Sequence, residues 1–366
     1  MIYLDYQATT PLAPEAREAM LPWLGGPGSQ GFANPHSPNR AGRAAAAAIE
    51  VARGDVAALL PTGGRVIFTS GATEALNMAL RGTGARRLAV SAIEHAAVLD
   101  TARALDPSLV LLPVDGQGLV DPEVAIPEGT GLVAVMQVNN EIGTVQPVAA
   151  IAARARAMGA LMLCDAVQGA GKVAAPDGAD LIAISAHKLY GPKGIGALWV
   201  RDGVRIDPMI TGGGQEGGMR AGTLSPALIA GFGAAARLCR TFGASDAAHV
   251  DKLWIRAHAS LFGAGFSGWM LNGSATQRWH GNLNVRLDGL DAGRLLSECR
   301  TVAISAGSAC ASGSGRPSHV LRALGLSDRN AKSALRIGFG RYTGEEDLDE
   351  AIAAIVAAAR AQGLSV

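Results

Sequence analysis

From residue 65 onward the chain repeats one unit: a short apolar run, a polar cluster at its end, then a helical stretch. Residues 65–68 lead into Thr69-Ser70-Gly71-Ala72-Thr73-Glu74, residues 88–91 into Glu94-His95, and residues 132–138 into Asn139-Asn140-Glu141. Residues 160–163 lead into Cys164-Asp165-Ala166-Val167-Gln168, and 181–184 into Ser185-Ala186-His187-Lys188. Apolar runs this short, bounded by Gly and Pro, read as buried strands. Strands alternating with helices predict an α/β architecture with a mostly parallel, helix-covered sheet. Ligands bind such sheets outside the carboxyl ends of the strands. The polar clusters are therefore expected to converge on one rim.

The flanking regions follow other patterns. A helical stretch opens near Pro14, and the alanine-rich residues 41–60 favour a further helix. Another helix is predicted from Pro226, with a break at 243–247, where small and polar residues interrupt the period. Beyond it come strand candidates at 281–287, 302–305 and 334–339, the last containing Arg336, and a loop of Gly, Ser and Ala around Cys310. The final predicted helix, 345–361, opens on acids that suit its dipole. This divides the chain into a large domain, 14–245, and a smaller α+β domain made of 1–13 and 246–366. A length of 366 residues agrees with more than one core.

Composition narrows the partners. A net charge of +1, without basic tracts, gives no electrostatic case for nucleic acid or a membrane surface. A small molecule is the expected ligand. No apolar stretch approaches the ~20 residues of a membrane span, and MIYLDYQATT lacks the pattern of a secretory signal. Cys164, Cys239, Cys299 and Cys310 show no CxxC pairing, so neither a disulfide framework nor a resident metal site is signalled. A reducing cytoplasm is the expected setting.

The rim residues suggest a chemistry. Ser70-Gly71-Ala72-Thr73 at a strand-to-helix turn offers N–H groups to an anion. Asp165 could hold a positive ring nitrogen, Gln168 could donate to a phenolate-type oxygen, and His95 could stack on a flat aromatic ligand. Lys188, just past a buried strand, could form a Schiff base. Singly, each has an ordinary structural role: a capping acid, a polar face, a satisfied histidine, a loop lysine. Jointly they describe pyridoxal 5′-phosphate. Cys310 sits in a loop able to carry a nucleophile, whereas the other cysteines occupy apolar or helical segments. Arg336 reads as a carboxylate clamp or as a structural ion pair.

With Tyr3-Leu4-Asp5-Tyr6-Gln7-Ala8-Thr9-Thr10, Asn34-Pro35-His36-Ser37, Asn139-Asn140-Glu141-Ile142-Gly143-Thr144, His187-Lys188, Gly212-Gly213-Gly214-Gln215-Glu216 and Gly307-Ser308-Ala309-Cys310, the chain resembles NifS/IscS-type cysteine desulfurases of the class V aminotransferase branch. The resemblance implies fold type I and a homodimer. It implies Lys188 as the Schiff-base lysine, His95 on the ring, Asp165 at the pyridinium and Gln168 at the ring oxygen. Ala72, Thr73, Ser185 and His187 would hold the phosphate, with Thr223 from the other protomer. Asn140 would lie beside the cofactor, and Arg336, Asn34 and Asn140 would meet the substrate, L-cysteine. Cys310 would carry the persulfide to a sulfur acceptor or iron-sulfur scaffold protein, with at most transient contact to a scaffold-bound cluster. A selenocysteine lyase or an aminotransferase on the same fold, and an assembly subunit without turnover, are the alternatives. Ala186 and Ala221 depart from the commoner glycine and serine of that family, and the C-terminal stretch after the last helix is short for scaffold docking.

Overall fold

The computed structural model describes residues 1–29, 31–263, 268–307 and 317–364. Strand β1 (Ile2–Tyr3) pairs in parallel with Val302–Ala303 and ties the N-terminal segment to the small domain. Helices α1 (Pro14–Met20) and α2 (Arg40–Ala57) then lead into β2 (Gly64–Thr69), α3 (Ala72–Gly82), β3 (Leu88–Ser91), α4 (Ala96–Leu105), β4 (Val110–Leu112) and β5 (Leu132–Ala134). Next come α5 (Val148–Ala157), β6 (Leu161–Asp165), β7 (Leu181–Ser185), β8 (Gly196–Arg201) and α6 (Pro226–Phe262).

Strands β2 to β8 form a 7-stranded sheet in the order β2-β8-β7-β6-β5-β3-β4. Strand β8 is antiparallel to both its neighbours, and every other pairing is parallel, so the ends of β2, β3, β5, β6 and β7 share one rim. Adjacent residues of a strand face opposite ways, and the sheet uses this to feed two cores. Phe68, Met162 and Ile182 pack with Ile49 of α2, Ile151 of α5 and Phe232 of α6. Ile67, Leu163 and Ala183 pack on the other face with Leu76 and Leu80 of α3 and Leu99 of α4. The run predicted at 132–138 is regular only to Ala134, yet it stays bonded to β6: Val135 N donates to the Leu163 carbonyl (3.1 Å) and Gln137 N to that of Asp165 (2.9 Å).

The small domain holds β9 (Trp269–Leu271), β10 (Asn282–Leu287), α7 (Ala292–Glu298), β11 (Val302–Ala303), β12 (Ser305–Ala306), α8 (His319–Ala323), α9 (Asp328–Lys332), β13 (Ala334–Gly338) and α10 (Glu345–Ala361). An antiparallel sheet in the order β12-β13-β10-β9 packs Leu283, Val285, Leu335 and Ile337 against α10 and the second half of α6. The break expected at 243–247 does not occur, and α6 runs unbroken for 37 residues. Its residues up to Cys239 belong to the large-domain core and those from Val250 to the small-domain core. Burial at both ends outweighs the ~1 kcal/mol cost of Gly243 in a helix.

Candidate active site

Lys188 closes a 3₁₀ turn, Ala186–Lys188, directly after β7. Tyr190 then adopts the left-handed region (φ 68°), its N–H donating to Thr10 Oγ1 (2.7 Å), and Gly191-Pro192 returns the chain to β8. Lys188 Nζ donates to the carbonyls of Gln7 (2.5 Å) and Ala8 (2.8 Å). The N-terminal segment thus lies across the lysine. His187 Nδ1 lies 3.1 Å from Thr9 Oγ1, and burial, with Lys188 and Lys193 nearby, pushes its imidazole down to about 4. It is neutral at physiological pH.

A cavity of about 560 Å³ opens over this turn at the carboxyl rim of the sheet. Lys188, His187 and Ser185 line it from β7, Asp165 and Gln168 from β6, Asn140 from β5, His95 from β3, and Ala72 and Thr73 from the start of α3. Arg336 of β13 closes it from the small domain. The sequence-predicted residues that fall elsewhere are Asn34, exposed in a turn where its Oδ1 accepts from His36 N (2.9 Å), and Thr223, exposed on the loop before α6. Cys310 lies outside the described residues.

Each rim position has a local cause. His95 caps α4, its Nδ1 accepting from Ala97 N (3.1 Å). Asp165 Oδ1 accepts from Val167 N (2.9 Å) in the turn after β6. Burial raises the Asp165 carboxyl, while that N–H and the nearby His95 and Lys188 draw it back down. Gln168 Nε2 donates to the Gln7 carbonyl (2.9 Å), and its buried Oε1 has no partner. Helix α3 has Gly71 at its N-cap without a side-chain cap, and Gly71, Ala72 and Thr73 line the cavity. The backbone there is held close: a Cβ on Gly196 would come within 2.7 Å of Gly71 Cα.

Sequence reasoning missed several groups. Asp5 pairs with Arg336 (2.8 Å). Glu94 is fully buried, with Oε1 accepting from Met136 N (2.6 Å) and Oε2 unpartnered. Glu141 accepts from Ser318 Oγ (2.5 Å), and burial pushes its carboxyl up to about 7. An acid inside an otherwise apolar or alternating stretch was the available signal for Asp5. The carbonyls that take Lys188 have none, because backbone groups leave no mark in a sequence.

The sequence model of the class-V aminotransferase family matches residues 2–351. A cysteine desulfurase IscS of Rickettsia bellii is 42% identical over 370 residues, covering 96% of this chain and 89% of that protein. The chain belongs to the cysteine desulfurases of the class-V aminotransferase family. A solved NifS-like protein superposes with a TM-score of 0.87 at 30% identity, covering 97% of this chain and 98% of the other. The structure of SspA in complex with cysteine does so with a TM-score of 0.79 at 35% identity, over 94% and 100%.

The cofactor of the family is pyridoxal 5′-phosphate, and the cavity fits it. An uncapped helix start beside Ser185 and His187 suits a phosphate. A buried carboxyl suits a protonated ring nitrogen, and an imidazole can lie flat on a ring. Gln168 Nε2 gives one of its two N–H groups to the Gln7 carbonyl and keeps the other for a ring oxygen.

Proposed function

We propose that this desulfurase removes sulfur from L-cysteine, leaving L-alanine, and passes it on through Cys310 to an acceptor protein of iron-sulfur assembly or another thiolation pathway. The observation that carries the reading is the convergence, from five strand ends, of an anion cradle, an acid, an amide, an imidazole and a lysine on one cavity. When bound, the cofactor supplies an aldehyde for the substrate amine and a ring that draws electrons from Cα. Asp165 would hold a proton at the ring nitrogen, and the start of α3, with Ser185 and His187, would hold the phosphate. His95 and Asn140 would contact the ring. Arg336 takes the substrate carboxylate. Lys188 Nζ, once freed from the Gln7 and Ala8 carbonyls, takes the Cα proton.

The Cys310 thiolate then attacks the substrate sulfur. The new S–S bond forms as the substrate Cβ–S bond breaks, the electron pair stays with the substrate carbon, and protonation there yields alanine. Support for Cys310 is its motif, Gly307-Ser308-Ala309-Cys310, matched to the family. We read the enzyme as a homodimer in which Thr223 of each protomer completes its neighbour's phosphate site. A reducing cytoplasm suits thiolate chemistry, and among the described residues no helix is long and apolar enough to cross a membrane.

The test compares alanine and sulfide release from L-cysteine and L-selenocysteine, with candidate scaffold proteins added in turn. Cys310→Ser should keep the cofactor's absorbance and lose turnover with L-cysteine. Normal turnover in that variant, or glutamate formed from 2-oxoglutarate by the wild type, rejects the assignment.

A further inference from the structure

We propose that Asp5, which lies outside the cavity, is the positioning residue that aims Arg336 at the substrate carboxylate. This rests on the reading of Arg336 given above. Arg336 is 1% exposed on β13, and Asp5 is set beside that strand by a parallel bridge to Gly338. Arg336 Nη2 donates to Asp5 Oδ1 (2.8 Å) and to Ser305 Oγ (3.3 Å), while Ser305 Oγ donates to Asp5 Oδ2 (2.8 Å). The guanidinium, carboxylate and hydroxyl close a ring that fixes one edge of the arginine. Nη1 gives one hydrogen bond, to the Asn140 carbonyl (3.1 Å), and buried Nε has no partner. Of the five N–H donors of a guanidinium, Nε–H and one on Nη1 are left without a protein partner, and Arg336 lines the cavity.

The ring also excludes a competitor. Two acids face Arg336: Asp5, and Glu141 on the segment after β5, whose carboxyl feels the Arg336 charge. Glu141 is buried beside α8 and held by Ser318 Oγ. Without Asp5, a buried guanidinium lacking its counter-ion would turn toward Glu141 and away from the cavity. Asp5 therefore sets which way the charge points, without touching the substrate.

The experiment uses the holoenzyme and measures binding of L-alanine against L-alaninamide by calorimetry, since the ratio reads the carboxylate contact alone. Wild type should prefer L-alanine by about tenfold or more, as a charge-assisted hydrogen-bonded pair gives. Asp5→Ala should cut that preference to about threefold or less and raise KM for L-cysteine about tenfold, with kcat and cofactor absorbance kept. Asp5→Asn, which keeps an acceptor for the guanidinium, should restore most of the preference. An unchanged preference in Asp5→Ala overturns the inference. So does loss of preference, kcat and cofactor binding together in both Asp5 variants, which would mark a structural role. Arg336→Ala separates the two claims: if it leaves the preference intact, the reading of Arg336 itself fails; if it abolishes the preference while Asp5→Ala does not, only the role of Asp5 falls.

Discussion

Glu94, after β3, and Asp165, at the end of β6, are buried carboxyls on the same rim, on either side of β5, and their surroundings separate their roles. Burial and then the Asp165 charge push Glu94 well above the usual carboxyl range, and its one hydrogen bond, from Met136 N, offsets little of that. Burial raises Asp165 as well, but the Val167 N–H, His95 and Lys188 oppose that rise. Asp165→Asn should therefore keep the cavity and lower turnover about a hundredfold or more, checked as alanine release at fixed cofactor absorbance. Glu141 makes a separate prediction about stability. Burial pushes its carboxyl up to about 7 in the folded protein, from an ordinary 4.5. Between those values the unfolded chain has lost the proton that the folded protein keeps, so stability falls as pH rises through this window and the loss is complete above it. The penalty is ~3 kcal/mol at full ionisation. Glu141→Gln should flatten that fall, seen as a smaller drop in Tm between pH 5 and 8 than in wild type.

The α3 start depends on a contact between elements. A Cβ on Gly196 of β8 would meet Gly71 Cα at 2.7 Å and the Ile184 carbonyl at 2.8 Å, all backbone that cannot step aside. Gly196→Ala should push the β2–α3 turn off the sheet, at ~2 kcal/mol of stability, and weaken cofactor binding in an absorbance titration. Such elements differ in how far the sequence discloses them. Short apolar runs ending in polar residues announced β2, β3, β6 and β7 together with Asp165, Gln168 and Lys188, because burial on both faces leaves little room for other patterns. The unbroken α6 was hidden: 243–247 looks like a break locally, and only packing against two distant cores keeps it helical. Asp5 was hidden likewise, since its partner Arg336 lies far along the chain and their pairing is a product of tertiary structure. Thr223 and Asn34 lie apart from the cavity within one chain.

At the scale of the molecule, the cavity takes Lys188 from one core and Arg336 from the other, and α6 is packed into both. Gly243 has open space at its Cβ position. Gly243→Ala should raise stability by ~0.5–1 kcal/mol; Gly243→Pro should cost ~3 kcal/mol or more. The proline variant should raise KM for L-cysteine while cofactor absorbance persists, because the break falls between the two cores. The path from β7 to β8 has the opposite character. Its ends are neighbouring antiparallel strands in the middle of the sheet, so the ten residues from Ala186 to Ile195 form an arch with both feet fixed. An inserted residue there would slip a central strand or displace the lysine. A similar insertion at the exposed residues 121–123 of the long crossover between β4 and β5 costs little more than loop entropy. The family can thus be expected to vary in length at its crossovers and to keep this arch at constant span, a ruler against which the chemistry of the site is measured.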